Sequence, residues 1–277
     1  MLLWQAQNYL LHLVSATSKH SVHSPFVFDF VTKVLPHCTT IQGDTIENLR
    51  KQLCNNTQVI ELEDFGAGFA GDNIKKRTTT IKKIAQRASR NQKTGELLFR
   101  ICNHYKPQNC LELGTNLGIS ALYQLSGLPP TAQFTTIEGS AQLADLAQRH
   151  FQSFNSLIKD SRFHGNDERE YGNDGIHLII NTFDKALQSL QNQNWDNVFL
   201  DGNHTYEATI RYFNLLIPNM NPNSIIIFDD IYWSKPMTNA WNQLINHPTV
   251  SVSIDLFHFG ICFLKKEQAK EHFKLRF

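Results

Sequence analysis

The chain has few cysteines, almost no net charge and no long apolar run among its 277 residues. Its five cysteines are odd in number and none stand at Cys-x-x-Cys spacing, which argues against a disulfide framework and a structural zinc site. The net charge is +1, so no whole-molecule field attracts a polyanionic partner. No stretch approaches the roughly 20 apolar residues that a membrane-spanning helix needs.

The N-terminus also lacks the basic segment and clean apolar run of a signal peptide. Together with the cysteine usage, this predicts a cytoplasmic protein. Apolar residues make up 41% of the chain and charged residues 18%, which are ordinary proportions for a globular protein. The length suits one large domain, or one domain with an appendage.

Residues 1–94 are predicted to form a helical N-terminal extension. Apolar residues recur there at helical spacing, as at Leu3, Ala6, Leu10, Leu13 and Val14. A glycine-rich loop, Gly66–Gly71, is a candidate lid, and a plain structural cap is the simpler alternative. The segment 75–93 contains basic residues and no acidic ones, so it either contacts phosphate or nucleic acid or forms a solvated helix face.

Residues 95–277 show alternating strand and helix patterns. Buried strands are predicted at 110–113, 134–137, 176–180, 198–200 and 225–228, each separated by enough chain for a crossover helix. Two β-rich runs at the end, 250–257 and 259–264, have almost nothing between them and predict a hairpin. The expected fold is an α/β, doubly wound, mostly parallel sheet that closes with an antiparallel hairpin.

The segment Leu111–Ser120 runs from a strand through a Gly-x-x-x-Gly turn into a helix. Glycine allows a sharp turn and close approach of a ligand, and the N-terminus of the next helix offers free N–H groups. Two acids stand where strands end, Glu138 after the second strand and Asp201 after the fourth. Ligands of open α/β sheets bind at these carboxyl ends, so the three features together predict a nucleotide-like ligand site.

These residues resemble the class I S-adenosylmethionine (SAM)-dependent methyltransferases, most closely small-molecule O-methyltransferases of the catechol and macrocin type. The resemblance covers residues 95–265 and implies a Rossmann-like sheet of seven strands in the order 3-2-1-4-5-7-6. It also implies cofactor contacts from Glu112, Gly114, Thr115, Asn116, Gly118, Ser120, Glu138, Thr182, Phe183 and Asp201. Two N-terminal segments, His23–Phe26 and Asp64–Gly68, resemble a bacterial branch of methyltransferases without indicating a substrate.

Three carboxylates are expected to meet at the neighbouring ends of the fourth and fifth strands. Asp201, Asp229 and Asp230 would repel one another there unless a cation or protons intervene. Mg²⁺ prefers such oxygen ligands. The metal-dependent O-methyltransferases place an Asp after strand four and an acidic pair after strand five, so the resemblance implies the same metal site.

His204 stands three residues after Asp201, where catechol-type enzymes have a catalytic lysine. Imidazole has an unperturbed pKa of about 6.5, so His204 is a candidate general base. The alternatives are a helix cap or a contact with the cofactor. Tyr232 and Trp233 follow the acidic pair and either wall an acceptor pocket or pack under a loop.

The leading hypothesis is methyl transfer from SAM to a hydroxyl of a small molecule, with possible help from Mg²⁺ and a possible homodimer through the N-terminal helices. One alternative acceptor is RNA, bound by the basic 75–93 segment. A nicotinamide oxidoreductase is disfavoured because Asn116 replaces the middle glycine of Gly-x-Gly-x-x-Gly. A non-catalytic binding module is the remaining class. No motif identifies the acceptor.

Overall fold

The computed structural model describes residues 2–17, 22–37, 40–64, 75–88, 91–160 and 175–277. The helices in these residues are α1 (Leu2–Ser15), α2 (Pro25–Asp29), α3 (Ile41–Asn55), α4 (Ile81–Ala88), α5 (Gln92–Tyr105), α6 (Ile119–Gly127), α7 (Ala141–Asp160), α8 (Phe183–Ser189), α9 (Tyr206–Leu216) and α10 (Lys235–Ile245). A π-helical turn, Phe30–Val34, extends α2, and a 3-10 turn, Ile217–Asn219, extends α9. The strands are β1 (Val59–Asp64), β2 (Lys75–Thr80), β3 (Asn109–Leu113), β4 (Gln133–Glu138), β5 (Ile176–Ile180), β6 (Trp195–Leu200), β7 (Met220–Asp229), β8 (Val252–Asp255), β9 (Phe259–Phe263) and β10 (Glu271–Lys274).

Eight of these strands form one sheet in the order β10-β8-β9-β7-β6-β3-β4-β5. Neighbours are parallel except around β9, which runs antiparallel to β7 and β8. From β3 to β9 this is the predicted 3-2-1-4-5-7-6 order, so the Rossmann-like prediction is confirmed. The sheet has eight strands rather than seven because β10 adds in parallel to β8 at the edge. The sequence of β10, Glu-His-Phe-Lys, has too little apolar character to predict a strand.

The centre of the sheet brings three strand ends to one level. In the ladders between β3, β6 and β7, Leu113 pairs with Leu200 and Leu200 pairs with Phe228. The next residue along each strand is Gly114, Asp201 or Asp229. Parallel register therefore places the glycine turn and two predicted acids at the same edge of the sheet.

The N-terminal region contains a hairpin that the sequence did not predict. Strands β1 and β2 pair antiparallel, with Glu63 opposite Lys76 and Asp64 opposite Lys75. The expectation of one helix face across 75–93 is wrong in its first part, because β-branched threonines end β2 and the helix α4 begins only at Ile81. The candidate lid at 66–71 lies outside the described residues.

Helix α1 lies against the C-terminal strands. Thr17, just beyond α1, forms an isolated bridge with Leu275, and its amide donates a hydrogen bond to the carbonyl of Lys274 at 2.8 Å. The apolar stripe of α1 points away from the sheet, with solvent exposure of 88% for Leu3, 64% for Leu10 and 85% for Val14. The polar side of the helix therefore faces the protein.

The N-terminal helices share a hydrophobic core with the sheet. Phe30 packs in one cluster with Leu97 of α5 and with Ile227 and Ile261 of the sheet. The expected division between residues 94 and 95 falls within α5, three residues after the helix begins. None of the described helices is both long and apolar enough to cross a membrane.

Candidate active site

The turn after β3 requires glycine at two positions. Gly114 has φ of +109°, and a Cβ there would lie 2.1 Å from the carbonyl oxygen of Asp201. Gly118 has φ of +82°, and a Cβ there would lie 2.8 Å from the ring of Phe151. Both glycines have a positive φ, which other residues rarely adopt. Gly114 lets the turn pack against the residue that follows β6, and Gly118 lets it pack against Phe151 of α7.

A cleft opens beside this turn, between the N-terminal parts of α5 and α6 and the end of β6. Four predicted cofactor residues line it, namely Thr115, Asn116, Ser120 and Asp201. The sequence analysis missed the remaining lining residues, Gly95, Leu98, Leu117, Ile119, Tyr123 and Phe199. A Cβ at Gly95 would lie 2.3 Å from the Tyr123 ring, so this glycine allows α5 and α6 to approach each other. No sequence motif marks that contact, because it joins two helices.

Asn116 carries a polar group that faces no protein partner. Its backbone has φ of +49°, and its amide donates to Glu138 Oε2 at 2.8 Å. Its side-chain Oδ1 is buried and has no hydrogen-bond partner in the described part of the chain. A buried oxygen without a donor is costly. Since Asn116 lines the cleft, this oxygen fits a donor supplied by a ligand.

Glu138 is fixed at the end of β4 by two backbone amides. Its Oε2 accepts from Asn116 and its Oε1 accepts from the amide of Ser140 at 2.9 Å. Burial raises the pKa of Glu138, and these amides only partly oppose that shift. Each carboxylate oxygen keeps lone pairs for a further donor, such as a ribose hydroxyl.

Glu112 lies beneath the turn rather than in the cleft. It is fully buried and accepts hydrogen bonds from Thr136 Oγ1 at 2.7 Å and Gln124 Nε2 at 3.0 Å. Burial raises its pKa to about 7. Ser120, which also hydrogen-bonds Glu112, lines the cleft, whereas Glu112 does not. The cofactor contact that the resemblance implies for Glu112 stays a prediction.

Thr182 and Phe183 lie on the other side of the strand ends, where β5 leads into α8. The Thr182 side chain caps α8 by accepting from the amide of Lys185. The Phe183 ring lies so close to Gly202 that a Cβ at Gly202 would be 2.6 Å from it. Phe183 therefore stands next to the loop that begins at Asp201.

Three titratable side chains converge beyond the cleft. Asp201, His204 and Asp229 each offer a ligand atom, and these atoms all lie within 4.8 Å of one another. The distance from His204 Nε2 to Asp201 Oδ1 is 3.6 Å. His204 and Asp201 are partly exposed, whereas Asp229 is 1% exposed.

The expected trio of Asp201, Asp229 and Asp230 is not what the structure brings together. Strand β7 ends at Asp229, and Asp230 lies beyond it. Asp230 also adopts a left-handed backbone with φ of +54°. Among the described residues, His204 takes the third place in the cluster.

Of the two aromatic residues after the acidic pair, only Trp233 borders this cluster. Its ring centroid lies 6.3 Å from that of His204, and the side chain is 41% exposed. Tyr232 points inward instead, and its hydroxyl donates to Asp255 Oδ2 at 2.7 Å. Tyr232 thus packs under the loop, whereas Trp233 stays a candidate for the wall of the acceptor pocket.

Residues 111–231 match the model of a protein family described as a methyltransferase domain. This central segment of the chain is therefore similar to methyltransferase domains. The matched segment contains the glycine turn, Glu138, Asp201, His204 and Asp229, and it excludes Trp233 and all of the helices α1 to α5.

Solved structures share this fold. One is an O-methyltransferase from Bacillus cereus in complex with SAH, at 16% identity and a TM-score of 0.55, which covers 87% of this chain and 97% of that one. A second is an SAH-bound methyltransferase from Podospora anserina, at 15% identity and a TM-score of 0.53, which covers 83% of this chain and 100% of that one. A third is the O-methyltransferase TomG from Streptomyces achromogenes in complex with SAM, at 15% identity and a TM-score of 0.51, which covers 64% of this chain and 82% of that one.

Proposed function

We propose that the protein transfers a methyl group from SAM to a hydroxyl oxygen of a small-molecule acceptor. The observation that carries this proposal is the position of Asp201. It lines the cleft beside the glycine turn and also belongs to the cluster with His204 and Asp229. A cofactor site and a set of groups able to deprotonate or bind a hydroxyl therefore share one residue. The O-methyltransferase names of two similar structures favour oxygen as the accepting atom.

The residues present fit SAM. The cleft offers Ser120, the N-terminus of α6 and the buried Oδ1 of Asn116 to the polar end of the methionine portion. We assign Glu138 to the ribose, and Thr182 and Phe183 to the adenine. When bound, SAM supplies an electrophilic methyl group on a sulfonium sulfur. The protein contributes by orienting the two reactants and excluding water.

His204 is the proposed general base. An acceptor hydroxyl must lose its proton to become a good nucleophile, and His204 is a partly exposed titratable group whose Nε2 lies 3.6 Å from Asp201 Oδ1. Trp233 borders His204 and provides an apolar surface for the acceptor. In this proposal the imidazole of His204 and the ring of Trp233 both face the acceptor.

A divalent cation also fits the cluster. Two ligands bound at about 2.1 Å to one ion stand at most about 4.2 Å apart, so small side-chain shifts would bring atoms now within 4.8 Å into range. We assign Asp201 and Asp229 to the cation and His204 to the proton, because one imidazole nitrogen cannot do both. Asp230 is left out as a ligand. Mg²⁺ and Mn²⁺ both suit the two carboxylates. The cation would lower the pKa of a bound hydroxyl.

The experiment that tests this function is calorimetric titration with SAM, with and without Mg²⁺ or Mn²⁺. We expect SAM binding that Asn116→Ala weakens at least tenfold, because a ligand contact is lost. The matched control is Asn239→Ala, an amide on α10 away from the cleft. Absence of SAM binding at millimolar concentration would refute the proposal.

RNA as the acceptor has less support. The basic 75–93 segment does not form one continuous basic helix face, because its first residues belong to strand β2 and helix α4 begins only at Ile81. We expect no binding of a 20-nucleotide RNA at physiological salt, measured by fluorescence anisotropy.

We also propose that residues 1–94 cap the methyltransferase domain and that α1 contacts a second copy of the chain. The outward stripe of Leu3, Leu10 and Val14 supports this, because helix α1 contains no Asp, Glu, Lys or Arg to oppose packing against itself. We expect sedimentation velocity to show a dimer, and we expect Leu10→Glu to convert this dimer to a monomer. A monomeric wild-type protein at 100 µM would refute the proposed contact between two copies of α1.

A further inference from the structure

The face of α1 that meets the protein is polar, which is unusual for a helix packed on a core. Gln5 Nε2 donates to the carbonyl of Trp233 at 3.1 Å. About two turns on, His12 Nε2 lies 3.1 Å from Asp255 Oδ1, and both side chains are nearly inaccessible, at 3% and 0% exposure. Helix α1 thus makes specific polar contacts with the loop that carries Trp233 and with the end of β8, and the Tyr9 ring adds an edge contact with Phe257 at 4.9 Å between centroids.

Asp255, at the end of β8, is the centre of this arrangement. Its Oδ1 also accepts from the amide of Phe257 at 2.9 Å, and its Oδ2 accepts from the Tyr232 hydroxyl at 2.7 Å. Burial raises the pKa of Asp255, but these bonds and the bond from His12 outweigh it, so the pKa lies below its ordinary value. The buried group is therefore a carboxylate that His12, Tyr232 and one amide stabilise together.

Tyr232 transmits this contact to the active-site loop. Its ring stacks on Phe257, with centroids 5.0 Å apart and planes at 11°, and Phe257 is held with φ of +70°. The next residue, Trp233, borders His204. The loop of residues 230–234 is consequently attached on one side to α1 and Asp255 and faces the proposed acceptor on the other.

We propose that His12 is a positioning residue which, through Asp255 and Tyr232, holds Trp233 against the acceptor side of the methyl-transfer site. Helix α1 is then a structural part of the acceptor site although it lies outside the matched methyltransferase domain. This inference rests on the proposed function, because the acceptor side is defined by SAM in the cleft.

The test uses the full chain labelled with 5-fluorotryptophan and observed by ¹⁹F NMR. The protein has four tryptophans, and Trp233→Phe assigns the resonance of interest. We compare His12→Leu, which cannot donate to Asp255, with His12→Gln, which can. Val14→Ala, on the exposed side of the same helix, is the control.

We expect His12→Leu to shift or broaden the Trp233 resonance while that of buried Trp195 stays unchanged. His12→Gln should restore the wild-type spectrum, and Val14→Ala should not alter the Trp233 and Trp195 resonances. Tyr232→Phe should repeat the effect of His12→Leu, which keeps the test decisive if His12→Leu fails to fold. An unchanged Trp233 resonance in both variants, or equal changes at Trp233 and Trp195, would overturn the proposal.

Calorimetry separates this inference from the proposed function. The affinity of His12→Leu for SAM should stay within about twofold of wild type, since α1 does not line the cleft. A large loss of SAM affinity in this variant would assign His12 to the cofactor side and overturn the inference. If wild type itself fails to bind SAM, the proposed function fails instead.

Discussion

The residues that line the cleft come mostly from one stretch of chain, whereas those around His204 come from distant ones. The cleft is built from the turn and first residues of α6, with additions from α5 and β6. The surroundings of His204 include Asp229 and Trp233 and, through Tyr232, Asp255 and His12. The cofactor side therefore depends on local backbone geometry, and the acceptor side depends on contacts between segments up to 243 residues apart.

The largest effect is expected from Gly114→Ala, which challenges the backbone geometry of the cofactor side. The positive φ costs roughly 1–3 kcal/mol, and the 2.1 Å approach to the Asp201 carbonyl forces a backbone shift as well. We expect at least about 4 kcal/mol lost from the free energy of unfolding, or loss of SAM binding in a folded variant. Urea denaturation and calorimetry measure the two. Gly175→Ala is the control, since its Cβ would meet only an ordinary contact at 3.6 Å.

Glu112 provides the next largest effect, because burial raises its pKa to about 7. An acid whose folded pKa exceeds its unfolded value of about 4.3 favours folding only when protonated. The stabilisation that Glu112 contributes is fully present below the unfolded pKa of about 4.3 and is lost as the pH rises to its folded pKa of about 7. Relative to Glu112→Gln, wild type should lose about 3 kcal/mol of unfolding free energy between pH 4.5 and 8. Equal pH dependence of the two proteins in urea denaturation would contradict the assigned burial.

Tyr232→Phe tests the long-range contacts of the acceptor side. It removes a hydrogen bond to a buried carboxylate, which is worth about 2 kcal/mol. The matched control is Tyr206→Phe, whose hydroxyl bonds Gln243 at the surface and should change the unfolding free energy by about 0.5 kcal/mol or less. Similar losses in both variants, measured by urea denaturation, would show that Asp255 does not depend on Tyr232.

The smallest expected effect distinguishes Asp229, the last residue of β7, from Asp230 as a ligand of the cation. Asp229→Asn should weaken Mn²⁺ binding at least tenfold, about 1.4 kcal/mol, because its carboxylate belongs to the cluster with Asp201. Asp230→Asn should leave the Mn²⁺ affinity within twofold. Titration calorimetry measures both affinities. The opposite order would restore Asp230 as the ligand and remove Asp229.

The sequence by itself determined the sheet order and the cofactor turn. Apolar runs predicted the strands from β3 to β9, and the resemblance to methyltransferases implied their order in the sheet. The short polar strand β10 and the hairpin β1–β2 carry no such pattern, because their pairing depends on the neighbour rather than on their own side chains.

Only the tertiary structure decided which polar residues meet. Among the described residues, His204 rather than Asp230 joins Asp201 and Asp229, and Asp230 lies beyond the end of β7 with a left-handed backbone that the spacing of the acids does not predict. The contact of His12 with Asp255 joins residues 243 apart, and no spacing in the sequence encodes it. Local patterns record what a segment does alone, whereas the acceptor side exists only where separate segments pack together.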